Sequence, residues 1–221
     1  MGTQELSDAT TPRGRFITLE GGEGAGKSTQ IRRLGERLRA AGLDAIETRE
    51  PGGSPGAEEI RGLLLDGGVD RWDGVTEALL MYAARRDHLV RKVWPALARG
   101  QWVLCDRFED STRAYQGAGS GLDRAVIDAL GQVARSAFAP DLTLILDLPV
   151  SVGRDRAAAR RGLNDRFEQR DDGFHERVRQ GFLSVAAAEP DRCAVIDASL
   201  PLDAVADAIA RTVVLRLKVA L

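Results

Sequence analysis

Lysine is nearly absent from this chain. Of its 31 basic residues only Lys27, Lys92 and Lys218 are lysines; the rest are arginine. None of the three stands in an N/T-K-x-D arrangement, which excludes the base-reading signature of a guanine-nucleotide switch. Cysteine is equally scarce. Cys105 and Cys193 are too few, in too long a chain, for a disulfide framework. Both sit in short apolar runs and are expected to be buried strand residues in a reducing compartment. No apolar run approaches the roughly 18 residues needed to span a bilayer. The first 14 residues are polar and lack the apolar stretch of a signal peptide. Those absences lead us to expect a cytoplasmic protein with no membrane partner and a disordered N-terminal extension over residues 1–14. A net charge of -2 leaves no broad basic footprint for nucleic acid.

What remains is enough for one domain with a sizeable core, spanning 15–221. Short apolar runs alternate with helical periods. The runs are FITL (16–19), AIET (45–48), WVLC (102–105), LTLIL (142–146) and CAVI (193–196). Continuously apolar runs suit parallel strands covered on both faces. Between them, Ile31, Leu34, Leu38 and Ala41 form one helical stripe stopped by Gly42. A second helix starts at Ser54-Pro55 and ends after Leu65. Others are expected at about 77–98, disturbed at Pro95, and at about 123–137, 150–160 and 173–188. The last carries Leu202, Val205, Ile209, Val213 and Leu217 on one face. This alternation predicts a three-layer α/β fold with a mainly parallel sheet. Four strands run into an acid: Glu20, Asp106, Asp147 and Asp197. Ligands of open α/β sheets bind beyond the carboxyl ends of the strands, so that edge is where function is expected. Asp147 and Asp197 read more simply as polar strand ends meeting solvent.

One motif is specific. Gly21-x-x-x-x-Gly26-Lys27-Ser28 lies between an apolar strand and a helix, as a phosphate-binding loop requires. Glycines let successive backbone N–H groups point into one concavity that binds phosphate oxygens, and the helix N-terminus adds partial positive charge. Residues Gly21, Gly22, Glu23, Gly24, Ala25, Gly26, Lys27, Ser28 and Thr29 are therefore the candidate site for a nucleoside triphosphate, which the resemblance given below implies is ATP. Lys27 would bridge the β- and γ-phosphates, and Ser28 would face Mg²⁺. Asp106, an acid at a strand end, is the second candidate Mg²⁺ contact.

The loop alone does not specify a reaction. However, GGEGAGKST, TREPGG, YAARRDH, CDRFEDSTRAYQGAG and RFEQR occur in the order and spacing of bacterial thymidylate kinases, which the chain resembles from about Phe16 to the last helix. The resemblance implies transfer of the ATP γ-phosphate to dTMP on a dimeric P-loop kinase fold of strand order 2-3-1-4-5. It also implies roles. Glu23 would accept a hydrogen bond from the deoxyribose 3′-hydroxyl. Arg107 and Arg49 would grip the dTMP phosphate, and Arg85, Thr112 and Gln116 would meet the base. Tyr115 would pack against the deoxyribose and disfavour a 2′-hydroxyl. Met81 departs from the family, which commonly has a stacking phenylalanine there; Met81 itself is expected to cover the thymine face, the alternatives being that a neighbour such as Tyr82 does so or that the stack is missing. The segment 156–171 is the expected lid. It carries Arg156, Arg160, Arg161, Arg166 and Arg170, of which Arg161 and Arg166 are the expected catalytic arginines, with Arg160 the alternative to Arg161. His88 and His175 are expected to be packed or surface histidines without a role.

Overall fold

The computed structural model describes residues 13–159 and 166–221. Five parallel strands form one sheet: β1 (Phe16–Glu20), β2 (Ala45–Arg49), β3 (Trp102–Asp106), β4 (Leu142–Asp147) and β5 (Cys193–Asp197), in the order β2-β3-β1-β4-β5. All five expected strands are present, and four of them close on the acids named above. Thr18 and Thr143 are fully buried side by side on β1 and β4 and bond each other at 2.8 Å, so neither hydroxyl is left unpaired in the sheet interior.

Helix α1 (Lys27–Ala40) follows β1 and turns its Ile31, Leu34 and Leu38 stripe onto the sheet. It packs beside the last helix, α9 (Leu202–Leu217), whose Val205, Ile209 and Val213 complete that side of the core. Helix α2 (Pro55–Leu65) begins with Pro55 at its first turn. Helix α3 (Gly74–His88) starts three residues earlier than periodicity suggests, because Asp73 accepts from the N–H groups of Val75 and Thr76 and caps it. A π-helical turn (Leu89–Val93) then joins α3 to α4 (Trp94–Ala98). The disturbance expected at Pro95 thus falls just before the proline, which has no N–H to give to the preceding turn.

The stretch after β3 is helical where sequence periodicity places no helix. Glu109–Thr112 forms α5 and Arg113–Gly119 continues it as π-helix. Wider turns rotate side chains relative to a regular helix, which hides the apolar period. This segment packs against α8 (Asp172–Ala188), and Gly181 admits it: a Cβ there would lie 2.8 Å from Ala118 Cβ and 3.1 Å from Ala114 Cα. Helix α6 (Arg124–Arg135) is capped by Asp123, and α7 (Val150–Ala158) follows β4. Cys105 and Cys193 are buried and free on β3 and β5. Asp147 pairs with Arg179 at 2.7 Å and Asp197 caps its own turn at Ser199, in keeping with a structural reading of both acids. The expected N-terminal extension falls mostly outside the described residues; Gly14 donates to Leu97 O at 3.0 Å. No described helix is long and apolar enough to cross a membrane.

Candidate active site

The carboxyl ends of β1, β2 and β3 open into a cavity of about 330 Å³. Glu23 to Thr29 form one wall. Arg49, Met81, Arg85, Asp106, Arg107, Thr112, Tyr115 and Gln116 line the rest. Residues from five separated segments of the chain, Phe167 with Glu168 being the fifth, therefore converge on one space. Gly21 and Gly22 adjoin it and line a smaller cleft against the end of β4. Arg161 lies outside the described residues.

The loop is built by backbone freedom at a close approach. Gly24 has φ +70°, and a Cβ on it would fall 2.1 Å from the carbonyl oxygen of Gly153. Only glycine allows α7 to lie directly on the loop there. Gly26, at φ +85°, turns the chain into α1. Lys27 is buried, and its Nζ donates to the carbonyls of Gly21 at 3.1 Å and Gly22 at 2.8 Å. Burial and the nearby Arg107 push its pKa down, while Glu23, Asp106 and Glu20 oppose that shift. One residue on, Ser28 Oγ donates to Asp106 Oδ2 at 2.7 Å. A hydroxyl and a carboxylate this close form a hard-oxygen donor set of the type Mg²⁺ accepts alongside phosphates and water.

Glu23 is no anomaly in a phosphate loop. Arg107 Nη2 and the Tyr115 hydroxyl both donate to its Oε1, at 2.6 and 2.7 Å. Burial opposes its ionisation, but Arg107, Lys27 and the tyrosine bond outweigh that and bring its pKa to about 2. Arg107 also donates to Gly21 O at 3.0 Å and to Ser111 Oγ at 3.2 Å. Its backbone stands at φ +69°, a left-handed conformation that a non-glycine residue adopts at a cost and that recurs at functional sites. Behind it, Glu20 is fully buried and accepts from Phe108 N–H at 2.7 Å and Ser111 Oγ at 2.6 Å. Burial, with the nearby Asp110, raises its pKa to about 7.

The far wall is more buried. Arg85 donates through Nε to Glu50 Oε2 at 2.7 Å, and through Nη2 to Phe108 O at 3.0 Å and Thr112 Oγ1 at 3.1 Å. Its Nη1 is buried and has no hydrogen-bond partner among the described residues. Glu50 is held in turn by His88 Nδ1 at 2.9 Å, and His88 Nε2 lies 2.7 Å from Thr48 Oγ1. His88 is thus a packed histidine, as expected, though it braces an acid that braces Arg85. His175 is likewise packed, and burial lowers its pKa. Arg49 Nη2 donates to both carboxylate oxygens of Glu58, at 3.1 and 3.0 Å, and stays half-exposed at the cavity rim.

Two expectations change. Tyr82 is buried with its hydroxyl 3.3 Å from Glu109 and does not line the cavity, so it cannot replace Met81 as a cover. Phe167, which sequence reading passed over, does line it and meets the Tyr115 ring edge-on at 5.8 Å. Arg166 occupies a different post from that of a catalytic arginine. It is 1% exposed, is paired with Glu77, and donates to the carbonyls of Leu64 and Val69. A guanidinium already satisfied by a buried carboxylate and two carbonyls anchors this stretch of chain to α3, to the end of α2 and to the residues after it. Glu50 and Phe167 stand inside the motifs TREPGG and RFEQR but carried no assigned role, whereas nothing local in sequence marks Glu77, whose partners Gln116 and Arg166 lie far along the chain.

The family model Thymidylate kinase matches residues 19–209. The thymidylate kinase of Caulobacter vibrioides is 62% identical over 205 residues, covering 93% of this chain and 98% of its own length. That of Nitrobacter winogradskyi is 56% identical over 205 residues, with 92% and 89% covered. That of Alkalilimnicola ehrlichii is 54% identical over 197 residues, with 89% and 91% covered.

Proposed function

Because the chain belongs to the thymidylate kinase family, we propose that it transfers the γ-phosphate of ATP to dTMP, giving dTDP and ADP. The observation that carries this reading is the single cavity bounded on one side by the phosphate-binding loop and on the other by a buried arginine with a free donor, Arg85 Nη1. A purely regulatory nucleotide switch has no need of the second half.

Phosphoryl transfer demands positioning and charge stabilisation more than a strong base. The loop N–H groups and Lys27 supply both for the donor phosphates. Ser28 and Asp106 would hold Mg²⁺, which when bound neutralises charge on the phosphate oxygens. On the acceptor side Arg107 and Arg49 are suited to the dTMP phosphate, because a guanidinium meets phosphate oxygens through two parallel bonds. Glu23, kept ionised by Arg107 and Lys27, is an acceptor for the sugar 3′-hydroxyl. Tyr115, fixed through its hydroxyl to Glu23, fills the space beside the sugar. Arg85, Thr112 and Gln116 address the base, with Met81 across its face. Arg161 in the lid is the candidate to stabilise the transferring phosphoryl. Apolar side chains on α3, Val75 and Leu79, and on α6, Val133, are exposed; they support a homodimer through that side, whose mass a light-scattering measurement would report.

ADP release coupled to a colour change, with ATP, Mg²⁺ and dTMP together, tests the reading. Turnover that requires dTMP and stops in Lys27→Ala is expected. ADP release indifferent to dTMP would overturn it.

A further inference from the structure

Gln116 and Arg166 meet at one carboxylate. Gln116 Nε2 donates to Glu77 Oε1 at 2.7 Å, and Arg166 holds the other oxygen. All three side chains are almost completely buried: Glu77 is 4% exposed, Gln116 1% and Arg166 1%. Glu77 comes from the first turn of α3, Gln116 from the π-helical segment and Arg166 from the end of the lid, so only the fold brings them together.

The chemistry of this triad decides which end of an amide faces the cavity. A primary amide presents a donor at one end and an acceptor at the other. Paired with a guanidinium, the Glu77 carboxylate can only accept. The NH₂ end of Gln116 must therefore turn to Glu77, and its carbonyl oxygen is the end left for the cavity that Gln116 lines. On the same wall Arg85 has a donor, Nη1, without a partner. One fixed acceptor and one fixed donor lining the same cavity suit a ring edge that carries both N–H and C=O, the N3–H and O4 edge of a 4-oxopyrimidine. A 4-aminopyrimidine offers the reverse pattern and would set like against like at both points.

We propose that Glu77 is the specificity-determining positioning residue of the acceptor pocket: it locks Gln116 with its carbonyl inward, so that the pocket takes 4-oxo and refuses 4-amino pyrimidine nucleotides. Because Arg166 shares the carboxylate, docking of the lid end and orientation of the amide are one arrangement. This inference rests on the dTMP-kinase reading above and adds to it the group that sets base choice.

The test is kcat/KM for dTMP, dUMP and dCMP in the wild type and in Glu77→Gln. A glutamine at 77 can donate or accept, so it frees the Gln116 amide to flip. The dTMP-to-dCMP preference should fall by about tenfold or more, the scale of one mispaired buried hydrogen bond. The dTMP-to-dUMP ratio should stay within about twofold, because these bases share the edge and differ only in a methyl group. Equal losses for all three nucleotides, with both ratios kept, would mean that Glu77 merely supports the fold and would overturn the proposal. If Glu77→Gln does not fold, Arg166→Gln serves. Without its counter-charge the buried acid can be neutral, and a neutral acid donates as well as accepts; the preference should again fall, and an unchanged ratio would overturn the proposal. A wild type inactive on dTMP would instead remove the functional reading itself.

Discussion

Arg85 and Glu50 form a buried ion pair at the wall of the cavity, Nε to Oε2 at 2.7 Å, with both side chains at most 3% exposed. The bond fixes the plane of the guanidinium. Nη2 then falls on Phe108 O and Thr112 Oγ1, leaving Nη1 as the donor without a partner. Deleting this arginine would strand Glu50, and an uncompensated buried charge is destabilising by about 3–5 kcal/mol. The sharper test is Arg85→Lys, which keeps a cation for Glu50 but loses the fork. It should weaken dTMP by about tenfold, the value of one buried hydrogen bond to a charged group, and leave the KM for ATP unchanged. Equal losses for the two substrates would place Arg85 outside the acceptor pocket.

Met81 lies one helical turn before Arg85 on α3 and lines the same cavity. A sulfur–ring contact is worth roughly 0.3–1.5 kcal/mol, close to an aromatic pair at about 0.5–1.5 kcal/mol. Met81→Phe should therefore change dTMP affinity by less than about tenfold in either direction. Met81→Ala should weaken it clearly and spare ATP. Titration of dTMP into Met81→Ala without ATP decides the matter, and an unchanged affinity would show that Met81 does not touch the base.

Docking of Arg166 on Glu77 leaves Arg161 as the lid arginine to test. Arg161→Ala should lower kcat by about 10²-fold or more, by analogy with other arginine-assisted phosphoryl transfers. Arg170 is the control, since its guanidinium bonds Val69 O at 3.0 Å and lies over Phe174. Wild-type kcat in Arg161→Ala would remove Arg161 from the chemistry.

Glu20 predicts a dependence of stability on pH. Its folded pKa, raised to about 7, lies above the usual carboxyl value of 4.5. Between these values the folded state binds the extra proton, so this residue's contribution declines as pH rises from about 4.5 to 7. Above that window the buried charge is a standing penalty. Glu20→Gln can keep the bond from Phe108 N–H and donate to Ser111 Oγ, and it removes the charge. Its Tm at pH 8 should exceed that of the wild type by about 5 °C, and the gap should shrink as the pH approaches 5. A gap independent of pH would mean that Glu20 does not titrate in this range.

The chain order alone determined those parts of the site whose residues are neighbours in sequence. A phosphate loop is a local object: its glycines set the turn, its lysine and serine follow directly, and the helix behind supplies the dipole. Strand runs and their terminal acids were legible for a similar reason, because a doubly covered strand must be apolar along its length. The parallel α/β layout followed from alternation, and the strand order from family resemblance rather than from any pattern in the residues.

Tertiary packing decided what joins distant segments. Arg85 meets Glu50 across 35 positions, Gln116 meets Glu77 across 39, and Arg166 meets Glu77 across 89. No period or spacing announces such pairs, since a buried glutamate on an amphipathic helix looks the same in sequence whether it faces water or an arginine. The π-helical segment was hidden because its wider turns break the period by which helices are read. Arg166 shows the consequence most plainly. In sequence it is one arginine among several in a basic lid, and only the fold reveals that burial beside Glu77 has already claimed its charge.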